Sequence, residues 1–248
     1  SESEIWRSHR GCARVQDPYS TRCQPQVLGA AWDTFAHASA VLAREVNAAT
    51  DNPLVFGDSA ISGGNFHAAP VGLIADFLAI ALADVASLSE RRVDCFMRRV
   101  NPALPAFLAH RPGLESGFML AQVSAAALAS ENKTLAHPAS VDSVPTSAGQ
   151  EDHVSMAPWA GLKLLRIAEN LRTILAIELA CAAAALDHRR PLRTTPELEP
   201  VYKAIRSIVP AWTGDRRHDR DIAALAGLLE TGRIAEALPQ AAWRSPWA

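Results

Sequence analysis

Four consecutive residues, Gln150-Glu151-Asp152-His153, bring an amide, two carboxylates and an imidazole together just ahead of a long apolar helical pattern. Such a cluster is costly to bury without partners. Its place beside a core segment marks a candidate site. Imidazole and carboxylate are also metal ligands. Adjacent residues point in different directions, however, and no second His/Cys pair has helical ligand spacing, so no metal is expected. A second polar run, Gln16-Asp17-Pro18-Tyr19-Ser20-Thr21-Arg22, lies far away in the chain. An arginine offers a planar fork that grips a carboxylate through two bonds, and a phenol three residues away can add one more. The same residues also fit a surface arginine in a loop. A third run, Ser62-Gly63-Gly64-Asn65-Phe66-His67, pairs two glycines ahead of a helix start. That arrangement could cradle an anion, or simply make a turn and cap.

These runs are set between long helical patterns. Val27, Ala31, Phe35, Ala38, Leu42 and Val46 recur at steps of three or four and predict a helix from about Gln26 to Ala49. Asn52-Pro53 ends it, because proline disfavours helix in the residue before it. Gly57, Gly63 and Gly64 then mark a loop. No strand pair is convincing; a short hairpin through Leu54-Val55-Phe56 is the one possibility. Phe66 to about Val100 predicts a long helix whose first half is apolar almost all round, as expected for burial on all sides. Asn101-Pro102 closes it. Ser116 to Leu135 predicts an alanine-rich helix stopped by His137-Pro138. Residues 139–153 read as a long ordered loop, a kind usually functional inside a compact domain. Val154 to about Leu186 predicts the last long helix, with Leu162, Leu165, Leu171, Leu175 and Leu179 on its buried side and Pro158 tolerated in its first turn. Short helices near 197–209, 218–230 and 232–238 precede a tail at 241–248. The pattern divides into a central bundle with active-site loops over residues 1–190 and short C-terminal helices over 191–248.

The fold class is therefore all-α. The chain has 248 residues, 49% of them hydrophobic and 20% charged, and a net charge of −2. That balance suits a soluble globular protein and gives no support for a nucleic-acid partner. Val71 to Leu88 is the most membrane-like run, but Asp76 and Asp84 interrupt it; charges there are expensive in lipid, so a bundle helix and no membrane are expected. The helices are too apolar for one copy to cover, which points to oligomerisation through a shared helical core. Cys12, Cys23, Cys95 and Cys181 show no paired spacing and read as reduced thiols of a cytoplasmic protein. The chain opens on Ser1 rather than methionine, as expected of a processed chain or a portion of a longer one.

The runs, taken in order, resemble one family. They are Gln16 to Gln26, Ser62 to His67, Ala129-Ser130-Glu131-Asn132-Lys133, His137 to Ser143, and Thr146-Ser147-Ala148-Gly149-Gln150-Glu151-Asp152-His153-Val154-Ser155-Met156. Together they are similar to the histidine ammonia-lyase family of aromatic amino-acid lyases, over essentially the whole chain to about residue 240. The resemblance implies a long-helix bundle of the fumarase/aspartase type. It implies non-oxidative elimination of ammonia from L-histidine to give urocanate, the first step of histidine breakdown. It also implies a cytoplasmic homotetramer in which each active site draws loops from three subunits.

The family's electrophile is methylidene-imidazolone, cyclised from an Ala-Ser-Gly tripeptide, and a tyrosine from an early loop is usually assigned as the base. This sequence contains no Ala-Ser-Gly. The expectation is that it corresponds to the C-terminal half and is inactive alone. The matching residues carry supporting roles. Arg22 would bind the substrate carboxylate, with Tyr19 beside it at the reacting amine and Gln16 lining the pocket. Phe66 would pack near the prosthetic group. Glu151 would meet the substrate amine or imidazole, with Gln150 next to it, and Met119 would form part of the side-chain pocket. Tyr19 and Glu151 are thus the catalytic candidates; the others bind substrate. In phenylalanine-acting relatives the positions of Glu151 and Met119 usually hold glutamine and lysine, so this pair favours histidine. A phenylalanine or tyrosine lyase or aminomutase, and a non-catalytic helical oligomerisation subunit, are the alternatives.

Overall fold

Proline and glycine set most of the boundaries in the computed structural model, which describes residues 2–98 and 102–239. Two single-turn helices come first, α1 (Glu4–Arg7) and α2 (Tyr19–Arg22), followed by the long α3 (Gln24–Val46). A loop with a β-hairpin then leads to α4 (Ala69–Met97), α5 (Met119–Leu135) and α6 (Ala157–Arg189). The short helices α7 (Glu199–Arg206), α8 (Asp219–Glu230) and α9 (Arg233–Glu236) complete the order. Pro70 and Pro158 both sit second in their helices, where the missing N–H would have found no intrahelical partner. The expected end of α4 at Asn101 and the tail at 241–248 lie outside the described residues.

Two expectations need correction. The hairpin does form: β1 (Leu54–Phe56) pairs antiparallel with β2 (Ser59–Ile61) across a two-residue turn with Gly57 at φ +59°. Glycine supplies that left-handed backbone without a Cβ clash. Second, Leu162 and Leu165 are 60% and 65% exposed in this chain. The buried stripe of α6 runs instead through Ala160, Lys163, Ile167, Asn170, Ile174, Ile177 and Cys181. Likewise α3 buries Ala31, Thr34, Ala38 and Val41, while Val46 faces out. Within one chain the first half of α4 is covered on one face: Ile74, Ala75 and Ala79 are buried, while Leu73, Phe77 and Ile80 lie on an exposed face. Apolar character alone does not say which of two apolar faces the chain itself covers.

Chain contacts divide the molecule into two compact units. One gathers Pro25–Val85 and Glu131–Glu169. Its core joins Ala38, Val41 and Ile74 with Leu78, and separately Ala75, Ala139 and Ala160 with Met156 and Leu164. The small residues permit close approach: a Cβ on Gly72 would meet the Ser155 carbonyl oxygen at 3.0 Å. Within this unit Asp76 and Lys163, each with a side chain only 4% exposed, form an ion pair of 3.2 Å. A buried aspartate satisfied in this way marks α4 as a core helix, although it is long and apolar enough to cross a membrane.

The other unit gathers Ser1–Gln24, Ala86–Ser130 and Asn170–Ala248. Phe118 is its aromatic anchor, fully enclosed with Trp212 at 4.6 Å and His218 at 4.9 Å between ring centroids. Burying such a side chain contributes about 1.5–3 kcal/mol. Asp215 accepts from the Ser116 and Gly117 amides at 2.8 and 2.9 Å, and so holds the chain just ahead of α5. Glu178 accepts from Ser89 Oγ at 2.6 Å and from Arg92 Nη2 at 2.8 Å, which ties α6 to α4 within this unit. The four cysteines are free thiols, and burial pushes the Cys181 thiol up.

Candidate active site

The first candidate group is one helical turn long. Pro18 precedes α2, and the amide of Cys23 closes the turn on the Tyr19 carbonyl at 2.9 Å. In a helix, residues three apart share a face. Tyr19 and Arg22 are therefore neighbours, and the guanidinium carbon lies 4.7 Å from the phenol ring centroid. Arg22 Nη2 donates to Gln16 Oε1 at 2.8 Å, and its Nε donates to the Asp17 carbonyl at 3.0 Å. Three sequence candidates, Gln16, Tyr19 and Arg22, thus meet in one cluster. The loop fixes the plane of the guanidinium, and neither of these bonds uses Nη1. Tyr19 is 70% exposed, so its hydroxyl is open to a ligand. Ser20 faces the other way and is buried, 3.8 Å from Cys95 Sγ. Met119 begins α5 in the same unit and is 38% exposed.

The second group lies in the other unit. The loop between α5 and α6 narrows to a closed tip at Thr146–Glu151. The Thr146 amide donates to the Glu151 carbonyl at 2.9 Å, and the Glu151 amide returns to the Thr146 carbonyl at 3.3 Å. Between them Ser147, Ala148 and Gly149 all take positive φ, at 50°, 54° and 85°. The Thr146 hydroxyl donates to the Glu151 carboxylate. Hydrogen bonds from Thr146, and then from Ser147, hold the Glu151 carboxyl below its ordinary range. Glu151 is therefore a charged carboxylate presented at a fixed, exposed tip. Gln150 lies beside it, also exposed.

His67, through His153, brings the loop after the hairpin into this group. The imidazole of His67 stacks on that of His153, with centroids 5.7 Å apart and planes within 9°. His67 Nε2 also lies 3.0 Å from the His153 carbonyl oxygen. Phe66 precedes it and is 53% exposed. The glycine pair acts as a turn here: Asn52 Oδ1 accepts from the Gly63 amide at 2.9 Å and the Ser62 hydroxyl at 3.2 Å. Asn65 Nδ2 donates to the Ala49 carbonyl at 2.6 Å.

Sequence reasoning missed the groups that hold the tip. Thr146 and Ser147 were legible only as loop residues, and their signal was the small-residue run leading to Gly149. The Asp76–Lys163 pair had a clearer signal, a charge inside an otherwise apolar helix.

The all-α long-helix chain thus carries an exposed arginine–tyrosine turn and an exposed carboxylate loop, and comparison with known proteins assigns its family. The family model described as aromatic amino acid lyase matches residues 1–207, so the chain belongs to the aromatic amino acid lyase family. It is 54% identical to the histidine ammonia-lyase of Idiomarina loihiensis over 94% of this chain and 46% of that one. It is equally similar to the histidine ammonia-lyase of Burkholderia vietnamiensis, over 96% of this chain and 47% of the relative. Among solved structures, the histidine ammonia-lyase of Trypanosoma cruzi superposes with a TM-score of 0.86 at 44% identity, over 92% of this chain and 46% of that one. The tyrosine aminomutase of Streptomyces globisporus superposes at 0.84 with 37% identity, over 94% and 46%. The chain therefore spans about half the length of the relatives it matches.

Proposed function

We propose that this chain forms part of a histidine ammonia-lyase and supplies substrate-recognition groups for the elimination of ammonia from L-histidine to give urocanate. The observation that carries the substrate choice is Glu151, a carboxylate kept in its charged form at an exposed loop tip. A carboxylate suits a protonatable imidazole or an ammonium group and suits a phenyl ring poorly. The higher identity to histidine ammonia-lyases than to the tyrosine aminomutase supports the same choice.

The reaction needs an electrophile, because the amine is a poor leaving group and the β-proton is barely acidic. Methylidene-imidazolone supplies that electrophilic chemistry in the family. This chain has no Ala-Ser-Gly from which to form it. In this reading Tyr19 and Phe66, both exposed, are the rings that would border the group. The chain's own residues would act on the substrate. Arg22, with its plane fixed by Gln16 and the Asp17 carbonyl, would bind the α-carboxylate. Tyr19 would place its hydroxyl beside the amine, Glu151 would receive the imidazole or amine, and Gln150 and Met119 would shape the side-chain pocket. The two groups belong to separate units, and in a homotetramer they need not come from the same copy. The exposed apolar faces of α4 and α6 support such an assembly. A cytoplasmic location goes with this reading.

The test is urocanate absorbance on adding L-histidine. The chain alone gives no sustained turnover. A complete enzyme carrying it, with Ala-Ser-Gly present, turns over histidine faster than phenylalanine or tyrosine. Preference for either aromatic substrate would transfer the chain to the lyase or aminomutase alternatives. Turnover by the chain alone would refute its dependence on a supplied electrophile.

A further inference from the structure

The buried pair Asp76–Lys163 has no place in the chemistry above, yet each partner also bonds to the same short backbone segment. Lys163 Nζ donates to Asp76 Oδ1 at 3.2 Å and to the carbonyl oxygen of His137. Asp76 Oδ2 accepts from the Ser140 amide at 2.7 Å. An ammonium and a carboxylate thus read the His137 C=O and the Ser140 N–H, three residues apart, where the chain leaves α5. Ion pairs this deeply buried seldom stabilise a fold more than well-packed apolar residues do. What this one specifies is where the loop starts.

The rest of the loop is fastened in sequence from that point. Ala139 packs with Ala75 and Ala160, and Met156 at the loop's far end packs on the same cluster. Ser143 Oγ accepts from the Val154 amide at 2.8 Å and ties the two strands of the loop together. The tip, Thr146–Glu151, lies beyond this tie and is exposed throughout. Both ends of the loop are anchored at one core cluster, and the one charged anchor lies on the entering strand.

We infer that Asp76 and Lys163 are positioning residues for Glu151: the buried pair fixes the path of residues 137–140, and through the cross-tied loop it sets the geometry of the carboxylate at the tip. The catalytic consequence rests on the function proposed above, but the positioning does not, and it is measured without any turnover.

The experiment uses the chain itself with the double variant Asp76→Leu/Lys163→Met, which leaves no lone buried charge. The single variant Lys163→Met is the second test. Arg166→Gln, which removes the exposed pair with Glu131 on the same helix, is the control. Carbon-13 carboxyl NMR follows the titration of Glu151, and amide exchange follows Thr146 and Gly149 at the tip and Ile167 and Ile174 within α6. In the double variant Glu151 titrates closer to an ordinary glutamate. Tip amides exchange at least tenfold faster, while the α6 amides keep their protection; Arg166→Gln changes neither. An unaltered Glu151 titration, or exchange that rises by one factor at tip and helix alike, overturns the inference. Loosening of the tip in a complete enzyme that never acts on histidine would instead overturn the proposed function and leave the positioning intact.

Discussion

Thr146 donates its hydroxyl to the carboxylate of Glu151 while the two residues exchange both backbone hydrogen bonds. The side chain that carries the charge is thus held by the residue that begins its own loop tip. Removing the hydroxyl leaves the backbone pairing in place and isolates its electrical effect. Thr146→Val therefore raises the Glu151 pKa toward the ordinary glutamate value, since the bond to Thr146 is the largest cause lowering it. The sign follows from linkage. A carboxyl lowered on folding favours the closed tip at pH above the ordinary glutamate range, and that contribution disappears as pH falls through the lowered value. In Thr146→Val that contribution is smaller and its loss is complete at a higher pH. Carboxyl NMR titration of the two chains measures it; coincident curves would show that the hydroxyl has no hold on the carboxylate.

Arg22 is fixed by two bonds that a lysine cannot reproduce together, one from Nε and one from Nη2. Lysine keeps the charge but loses the planar fork. In a complete enzyme Arg22→Lys is expected to raise the KM for histidine roughly 10- to 100-fold, the equivalent of about 1.5–3 kcal/mol for a charged hydrogen bond. Steady-state kinetics read this directly. An unchanged KM would place the carboxylate site elsewhere.

The legible parts of this molecule are those governed by near neighbours in sequence. Tyr19 and Arg22 share a face because three residues separate them on one helical turn. The long helices follow apolar periodicity, and their ends follow proline. What sequence could not supply is the choice among partners far apart. Asp76 stood out as a charge in an apolar run, but its partner lies 87 residues away, with nothing local to name it. Leu162 and Leu165 looked like core by hydropathy alone, yet the chain buries Ala160 and Lys163 on that turn of α6. The hairpin was only a possibility because three-residue strands leave little alternation to read.

Gly117 precedes Phe118, the enclosed aromatic of its unit, and takes φ +54°. A Cβ there would stand 2.4 Å from the Phe107 carbonyl oxygen, which is backbone and cannot swing away. Gly117→Ala therefore meets both a disfavoured dihedral and a clash. Backbone strain of this kind costs about 1–3 kcal/mol, and the clash adds to it. Thermal unfolding should show a melting temperature lowered by roughly 2–4 °C per kcal/mol. Wild-type melting would mean that the turn ahead of α5 can relax.

The Asp76 carboxyl carries an acid test of the fold. Burial acts to raise its pKa, but the hydrogen bonds from Ser140 and Ala139, with Lys163 behind them, together bring it below its ordinary value. A group lowered on folding stabilises the native state above the unfolded-state pKa, about 3.9 for aspartate, and that contribution is lost as pH falls through the folded value. The wild-type chain should therefore lose stability below about pH 4 more steeply than Asp76→Leu/Lys163→Met, which has no such group to protonate. Near neutral pH the order among variants is different. Lys163→Met alone strands a buried carboxylate and costs about 3–5 kcal/mol, whereas the double variant loses much less. Urea unfolding midpoints across pH 3–7 for the three chains test both statements. Parallel pH curves for wild type and double variant would show that Asp76 is not the group the folded state keeps ionised.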